Sequence, residues 1–273
     1  MTILDDTAQL VKQRLGDEFG SLAIERLVVG LFFTGVKLSN GAGGICFSPI
    51  KDIPEAVCCP SSAGRAFDPT KTRGMKAEDA LSALSSPEPI KTAVSIATLN
   101  ALSATCWEGG LIGEYSLKMN MDAQDAVRIP EGSSVAVIGA IVPMLRELKR
   151  RGGTWWVIEQ DSRTLKSDEM EHFIPAEKSQ EVIRKANVLI ITGVTLINHT
   201  LESILEEAQP GAEIAVIGPT ASMLPEPLFE RGVTVVGGVW VKRADDLLEV
   251  LAAGGSGYHF LDTLADRIVI EKR

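Results

Sequence analysis

The sequence predicts an α/β protein built as an α+β unit over residues 1–122 followed by a doubly wound parallel-sheet domain over residues 123–273. Three observations predict it. From about residue 126 onward, short apolar runs alternate with helical segments five times. The runs VAVIG, VLIIT, EIAVIG and VTVVGGVWV are continuously apolar, as strands buried on both faces of a parallel sheet must be. The first 122 residues lack this rhythm and read instead as helix, strands, helices.

The elements follow in order. ILDDTAQLVKQRLGDEF carries apolar residues at Leu4, Ala8, Val11, Leu15 and Phe19, a helical period, with Asp5 or Asp6 serving its N-terminal end. IERLVVGLFFTGVKLS is rich in β-branched and aromatic residues, NGAGG breaks it and ICFSP resumes, which predicts two strands with a glycine-rich connection. KAEDALSALSS and PIKTAVSIATLNALSATCW predict two helices, with Pro87 or Pro89 near the start of the second. The second unit then reads EGSSVAVIG (strand), IVPMLRELKRRGG (helix), TWWVIEQ (strand), SQEVIRKA (helix), NVLIIT (strand), HTLESILEEAQPG (helix), EIAVIG (strand), PLFERG (short helix), VTVVGGVWV (strand) and RADDLLEVLAAGG (helix), with a last strand near RIVIEK.

Composition bounds the function. With 45% hydrophobic and 23% charged residues this is a soluble globular balance, and the net charge of -9 argues against nucleic acid or an anionic membrane as partner. The longest apolar run, LVVGLFF, is too short to span a bilayer, which needs ~20 residues. MTILDD has no signal-like core, so a cytoplasmic protein is expected. Cys46, Cys58, Cys59 and Cys106 form no CxxC pair and are expected as thiols, and His172, His199 and His259 have no metal-ligand spacing. The adjacent Cys58 and Cys59 could take a soft metal ion, against a structural role. The oligomeric state stays open, a homo-oligomer included.

In an open parallel sheet, ligands bind beyond the carboxyl ends of the strands, where the strand order reverses. The candidate loops start at Gly139, Glu159, Thr192, Gly218 and Gly237. GAIVPM lacks the glycines of a dinucleotide fingerprint, while Glu159, twenty residues after Gly139, stands where an acid would hold a ribose hydroxyl. A ligand with a ribose and no pyrophosphate against that turn fits better than NAD; a solvated strand-end carboxylate is the plainer reading. In TGVTLINHT, Gly193 permits a sharp turn and Asn198 or Thr200 can cap the next helix. One cap leaves Thr192 and Thr195 with further polar groups, a seat for an anionic group at a helix N-terminus unless the threonines bond their own backbone. Gly218 and Pro219 shape a rigid turn beside the same pocket. Asn100, in an apolar helix, needs a partner, either inside the first unit or across a cleft. Lys37, Asn40, Gly43 and Gly44 form a flexible loop suited to closing over a ligand, or a plain hairpin turn. GGSGYH has no preceding strand and is discounted as a nucleophile elbow, and Trp155 and Trp156 are expected in the core.

Together, VAVIG, Glu159 after WWVI, IITGVTLINHTLESIL, AVIGPT and VVGGVWV resemble the Rossmann-like domain of the putative heavy-metal chelation family of bacterial and archaeal proteins. FTGVKL, the glycine-rich turn and SIATLNAL resemble its companion domain, which has the fold of the enolase N-terminal domain. The resemblance covers nearly the whole chain and implies a ligand site between the two domains and a link to metal or metal-complex handling, with the loop at Asn40 to Gly44 as its cap. No evident cluster of metal ligands accompanies it.

The leading expectation is a cytosolic two-domain protein that holds a small polar ligand in the interdomain cleft: a metal complex, a metal-binding metabolite or a precursor of one. Thr195, Asn198 and Thr200 would bond its anionic groups, Glu159 a hydroxyl or a cation, and Asn100 would reach in from the first unit. The alternatives are a transferase using a nucleoside cofactor of the S-adenosylmethionine kind and a metal carrier built on Cys58 and Cys59. Whether chemistry follows binding is left open.

Overall fold

The computed structural model describes residues 2–52 and 68–273. Cys58 and Cys59, and the soft-metal reading built on them, lie outside the described residues.

The chain opens with helix α1 (Ile3–Leu15), held at its start by a reciprocal cap in which Thr2 Oγ1 accepts from Asp5 N–H and the Asp5 carboxylate accepts from Thr2 N–H. Three strands follow, β1 (Ile24–Val29), β2 (Phe33–Leu38) and β3 (Gly43–Phe47), in one antiparallel sheet. The sequence reading expects two strands here. The unbroken apolar run conceals a turn at Gly30, where a β-carbon would sit 2.5 Å from the carbonyl oxygen of Leu251. Of NGAGG, only the first residues are turn, and Gly43 and Gly44 already belong to β3.

Helices α2 (Ala77–Leu81) and α3 (Pro89–Glu108) complete the first unit. α3 is buried all round: 17 of its 20 residues are inaccessible. Its many hydroxyls can be buried because they bond their own helix. Thr98 Oγ1 donates to Val94 O, Ser103 Oγ to Leu99 O and Thr105 Oγ1 to Ala101 O, at 2.9, 2.9 and 3.1 Å.

The remaining strands are β4 (Tyr115–Met119), β5 (Val135–Ile138), β6 (Trp155–Glu159), β7 (Phe173–Pro175), β8 (Val188–Thr192), β9 (Glu213–Ile217), β10 (Val235–Val241) and β11 (Ala265–Lys272). They form one sheet in the order β4-β11-β10-β9-β8-β5-β6-β7. From β10 to β7 all pairings are parallel, while β11 and β4 run antiparallel at the other edge. Counted from β5, the parallel part has the Rossmann order, and the reversal falls between β5 and β8. β4 and β7 are absent from the sequence reading, and β4, drawn from the first 122 residues, extends this sheet.

The intervening helices are α4 (Ala123–Ala126), α5 (Val142–Arg151), α6 (Ser179–Ile183), α7 (Leu201–Glu207), α8 (Glu226–Glu230), α9 (Ala244–Ala252) and α10 (Gly257–Phe260). Successive side chains of each parallel strand enter different cores, as a period of two requires. Ile138, Ile158, Leu189 and Ile191 pack with α1, α3, α6, α7 and α8, whereas Val137, Val157, Val188 and Ile190 pack with α4 and α5. The first sheet is itself covered twice. A β-carbon on Gly44 would lie 2.2 Å from Ala97 O of α3, and one on Gly35 would lie 2.6 Å from Leu248 of α9. The two units therefore share layers. Among the described residues no helix is long and apolar enough to cross a membrane.

This packing sets a stability expectation. Gly44→Ala should destabilise the protein by about 3 kcal/mol, the upper end for overpacking, because its new carbon meets helix backbone that cannot swing away. Gly20→Ala, with nothing within 4 Å, should change it by less than about 0.5 kcal/mol. Urea denaturation of both variants checks the contrast.

Candidate functional site

At the reversal point, Gly139 ends β5 with φ 89°, and a β-carbon there would lie 2.8 Å from Thr192 Cγ2 of β8. The loop after it offers little to a phosphate. Ala140 N–H donates to Glu159 Oε2 at 3.0 Å, and Pro143 brings no N–H to the first turn of α5. The other Glu159 oxygen accepts from Gln160 and Asp161 N–H at 2.8 and 3.3 Å. Glu159 thus fastens the end of β6 to the end of β5, filling with the protein's own carboxylate the place where a dinucleotide would present its anion. Asp161 beside it is held down to about 2 by the Arg163 guanidinium and N–H.

The threonine hydroxyls of TGVTLINHT and Asn198 Oδ1 are engaged in their own turn. Thr192 Oγ1 accepts from Val194 N–H at 3.4 Å, and Thr195 Oγ1, on a residue 3% exposed, donates to Thr192 O at 2.7 Å. Asn198 Oδ1 accepts from Thr200 N–H and Thr200 Oγ1 at 3.3 and 2.7 Å. His199 takes φ 56°, so the turn needs a left-handed residue just before α7. Gly193 is buried, with Ala221 N 3.2 Å from where its β-carbon would be.

At the end of β9, Gly218 (φ 129°), Pro219 and Thr220 meet the first unit. Asn100, 2% exposed, sends its Nδ2 to Ile45 O, Thr220 O and Pro219 O at 2.8, 3.1 and 3.2 Å. Three surrounding carbonyls fix which end of the amide is nitrogen, since oxygen there would face only acceptors. Its Oδ1 has no protein partner. Thr220 Oγ1 accepts from Phe47 N–H at 3.1 Å. Asn100 and Thr220 thus bolt β3 to the β9 loop.

A cavity of about 720 Å³ opens along the carboxyl ends of β9 and β10. Gly218, Pro219, Gly237 and Gly238 form its floor, Ile141, Pro143 and Met144 from the β5 side one wall. Phe32, Phe33 and Phe47 of the first unit and Tyr258 and Leu261 beside α10 form the others. Of the residues the sequence brings forward for a site, Gly218 and Pro219 line this cavity; Gly139, Glu159, Thr192 and Gly193 cluster at the neighbouring reversal point, and Asn100 lies behind Pro219.

The hairpin expected as a cap is packed against its neighbours rather than free. Lys37 lies inside β2, paired with Asp245 and Glu25 at 2.8 and 3.0 Å, and both partners raise its pKa. Asn40 Nδ2 donates to Thr105 of α3 at 3.1 Å while its Oδ1 accepts from Ala42 N–H, and Gly43 and Gly44 are packed strand residues. This hairpin is clamped to α3 and α9. The β1–β2 turn, with Phe32 and Phe33, reaches the cavity instead. Sequence reading missed these aromatics because they sit inside an apolar run, and GGSGYH, set aside as an elbow, supplies Ser256, Gly257 and Tyr258 to the lining.

The residues present suit a bare heavy-metal ion poorly. Among the described residues no three His, Cys, Asp or Glu side chains come together. Cys46 and Cys106 are both buried, and burial pushes the Cys46 thiol far up and the Cys106 thiol to about 11, so neither offers a thiolate at neutral pH.

The fold and this geometry define an α/β protein of Rossmann strand order whose small antiparallel unit lines part of a cavity at the strand ends. The chain belongs to the DUF364 family, described as "Putative heavy-metal chelation", whose model matches residues 122–270. A second model of the same description, DUF4213, matches residues 12–103. A protein of unknown function from the DUF364 family of Pyrococcus horikoshii superposes with a TM-score of 0.76 at 20% identity, covering 99% of this chain and 100% of that one. Another of the same family, from Desulfitobacterium hafniense, gives 0.72 at 16% identity, covering 98% and 99%. At these identities the likeness speaks for the fold. An uncharacterized protein of Methanocaldococcus jannaschii is 23% identical over 172 residues, 63% of this chain and 62% of that relative.

Two outcomes follow from the buried groups. Asn100→Ala removes the amide donor shared by the carbonyls of Ile45, Thr220 and Pro219, the last of which keeps only Ser222 Oγ, and should cost about 3 kcal/mol in urea denaturation. Iodoacetamide at mildly alkaline pH should leave Cys46 and Cys106 unmodified in the native protein and label both once it is unfolded, read by peptide mass spectrometry.

Proposed function

We propose that this protein binds a small organic ligand in the cavity between its two units, and that it handles metal as a complex, as a metal-binding metabolite or as a precursor of one. The observation that carries this reading is the cavity itself. Its volume of about 720 Å³ falls in the range of small-molecule sites, roughly 300–1,000 Å³, and both units contribute walls to it. The family description supplies the link to metal, and the burial of both cysteines among the described residues favours a metal that arrives with its own ligands.

In this reading Gly218 and Pro219 bear the ligand directly. Gly139, Glu159, Thr192 and Gly193 form the polar ground beside it at the reversal point, and Asn100 positions Pro219 from behind. Thr195, Asn198 and Thr200 build the turn that holds Thr192 and Gly193 in place. The first unit, in its enolase N-terminal-like role, closes the site with Phe32, Phe33 and Phe47. A nucleoside cofactor is less well supported, because three backbone N–H groups already use the Glu159 carboxylate. No reaction is assigned.

The test is native mass spectrometry on protein purified without chelator or added ligand, compared with Ile141→Trp and Gln124→Trp. Both positions line the cavity and are only partly buried, so an indole fills space there and leaves the core intact. A bound organic mass on the wild type, leaving on denaturation and missing from both folded variants, is the expected result. The same mass on both variants would place the ligand elsewhere, and a bare wild-type mass would remove tight binding from the reading.

A further inference from the structure

We infer, on the reading that the cavity is the binding site, that its ligand is a flat aromatic or heteroaromatic molecule that is neutral or cationic and carries no exposed anionic group. Shape comes first. Phe33 is locked edge-on between Phe47 and Phe260, with ring centroids 6.3 and 5.4 Å away and interplanar angles of 89° and 83°. It stands as a fixed aromatic wall. At the mouth, Phe32 is 42% exposed and Tyr258 is 97% exposed. Two rings left in water at the rim of an aromatic-walled cavity gain burial when a flat molecule slides between them.

Charge comes second. Among the described lining residues Arg267 is the one cationic side chain, and it is already paired: its Nη1 with Asp262, and its Nε with Asp122 at 3.5 Å. Both carboxylates also line the cavity, so its charged end holds two negative groups and one positive. Several backbone donors are engaged as well. Gly218 N–H donates to Gly237 O, Val239 N–H to Ser222 Oγ and Ser256 N–H to His259 Nδ1, at 2.9, 2.8 and 3.0 Å. Ala140 N–H at the neighbouring loop is held by Glu159. A phosphate, sulfonate or carboxylate entering here meets carboxylates and few open donors, and burying it without partners is costly. A protonated or N–H-bearing heterocycle meets Asp122 and Asp262 as acceptors. Such nitrogen heterocycles also bind metals, which joins this inference to the reading above.

The probes are aminoacridine, a flat heteroaromatic cation at neutral pH, and anilinonaphthalene sulfonate, an aromatic anion of similar size. Their affinities are measured by fluorescence and calorimetry on the full chain at low salt. Aminoacridine should bind at one site per chain about tenfold more tightly than the sulfonate. Its affinity should fall about tenfold in folded Ile141→Trp and Gln124→Trp. In Asp262→Asn it should weaken while the sulfonate improves; asparagine tolerates the positive φ of 68° at that position, so the fold is kept. If the sulfonate binds as well as aminoacridine and both are lost in the indole variants, the charge inference falls and the cavity reading stands. If neither probe binds, or both bind the indole variants unchanged, the aromatic inference is overturned, and the native mass measurement separately decides whether the cavity holds a ligand.

Discussion

One buried amide ties the two halves of this protein together. Asn100 lies in the middle of a helix with apolar neighbours on every side, and water cannot reach it. Its nitrogen is the donor that Ile45 of the small sheet and Pro219 and Thr220 of the large sheet's loop share. The small sheet and the loop after β9 are thereby fixed to one point. The neighbouring hydroxyls of Thr98 and Ser103 turn back on the helix, and Ser103 Oγ also accepts from Leu224 N–H at 3.1 Å, a second hydrogen bond to the large unit. The cavity depends on this, because Phe47 and Pro219, on its opposite sides, follow immediately from the residues Asn100 and Thr220 hold.

Around this centre the contacts between halves are of two kinds, and their magnitudes differ. Trp107 of α3 stacks on the partly buried Trp240 of β10 at 5.6 Å and donates its indole N–H to Tyr115 Oη at 2.8 Å, so its own ring is buried with its polar tip paired. Near the surface, Arg14 pairs with Glu226, Arg26 with Glu249 and Lys37 with Asp245. Exposed pairs of this kind contribute about 0–1 kcal/mol each. The Arg14–Glu226 pair is more enclosed and leaves Arg14 Nη1 and Glu226 Oε2 without partners. Cohesion therefore comes mainly from shared apolar layers, and the ion pairs set register at the edges.

What the sequence made legible follows from which signals are local. A parallel strand buried on both faces must be continuously apolar, so β5, β6, β8, β9 and β10 stand out, and the glycine and proline punctuation between them marks their ends. The β1–β2 turn was hidden because Gly30, Leu31 and Phe32 are as apolar as the strands they join. β4 and β7 are too short or too mixed in burial to show a period. At the site, Gly218 and Pro219 were readable as a turn at a strand end. The polar cluster of TGVTLINHT was equally visible, but a hydroxyl that closes its own turn and one that waits for a ligand look alike until their partners are located. The glycines at 43 and 44 misled in the same way: they suggested mobility where they provide close approach to α3 and to β10.

The displacement of the cavity has a physical cause in two residues. In an open parallel sheet the reversal between β5 and β8 is the natural crevice, and a helix N-terminus there attracts anions. Here Pro143 removes a donor from that terminus, and Glu159 brings a carboxylate onto Ala140 N–H. The crevice is thereby supplied with its own anion and repels another. Two strands away, β10 carries Gly237 and Gly238, whose β-carbons would lie 2.4 Å from Ala123 and 2.8 Å from Ser222, so the covering elements approach the sheet closely there. The aromatic turn between β1 and β2 then closes a volume with apolar walls and a carboxylate-rich end. A proline and a glutamate thus give a sheet of Rossmann strand order a reversal point that carries its own carboxylate, while the glycine-edged cavity lies two strands away.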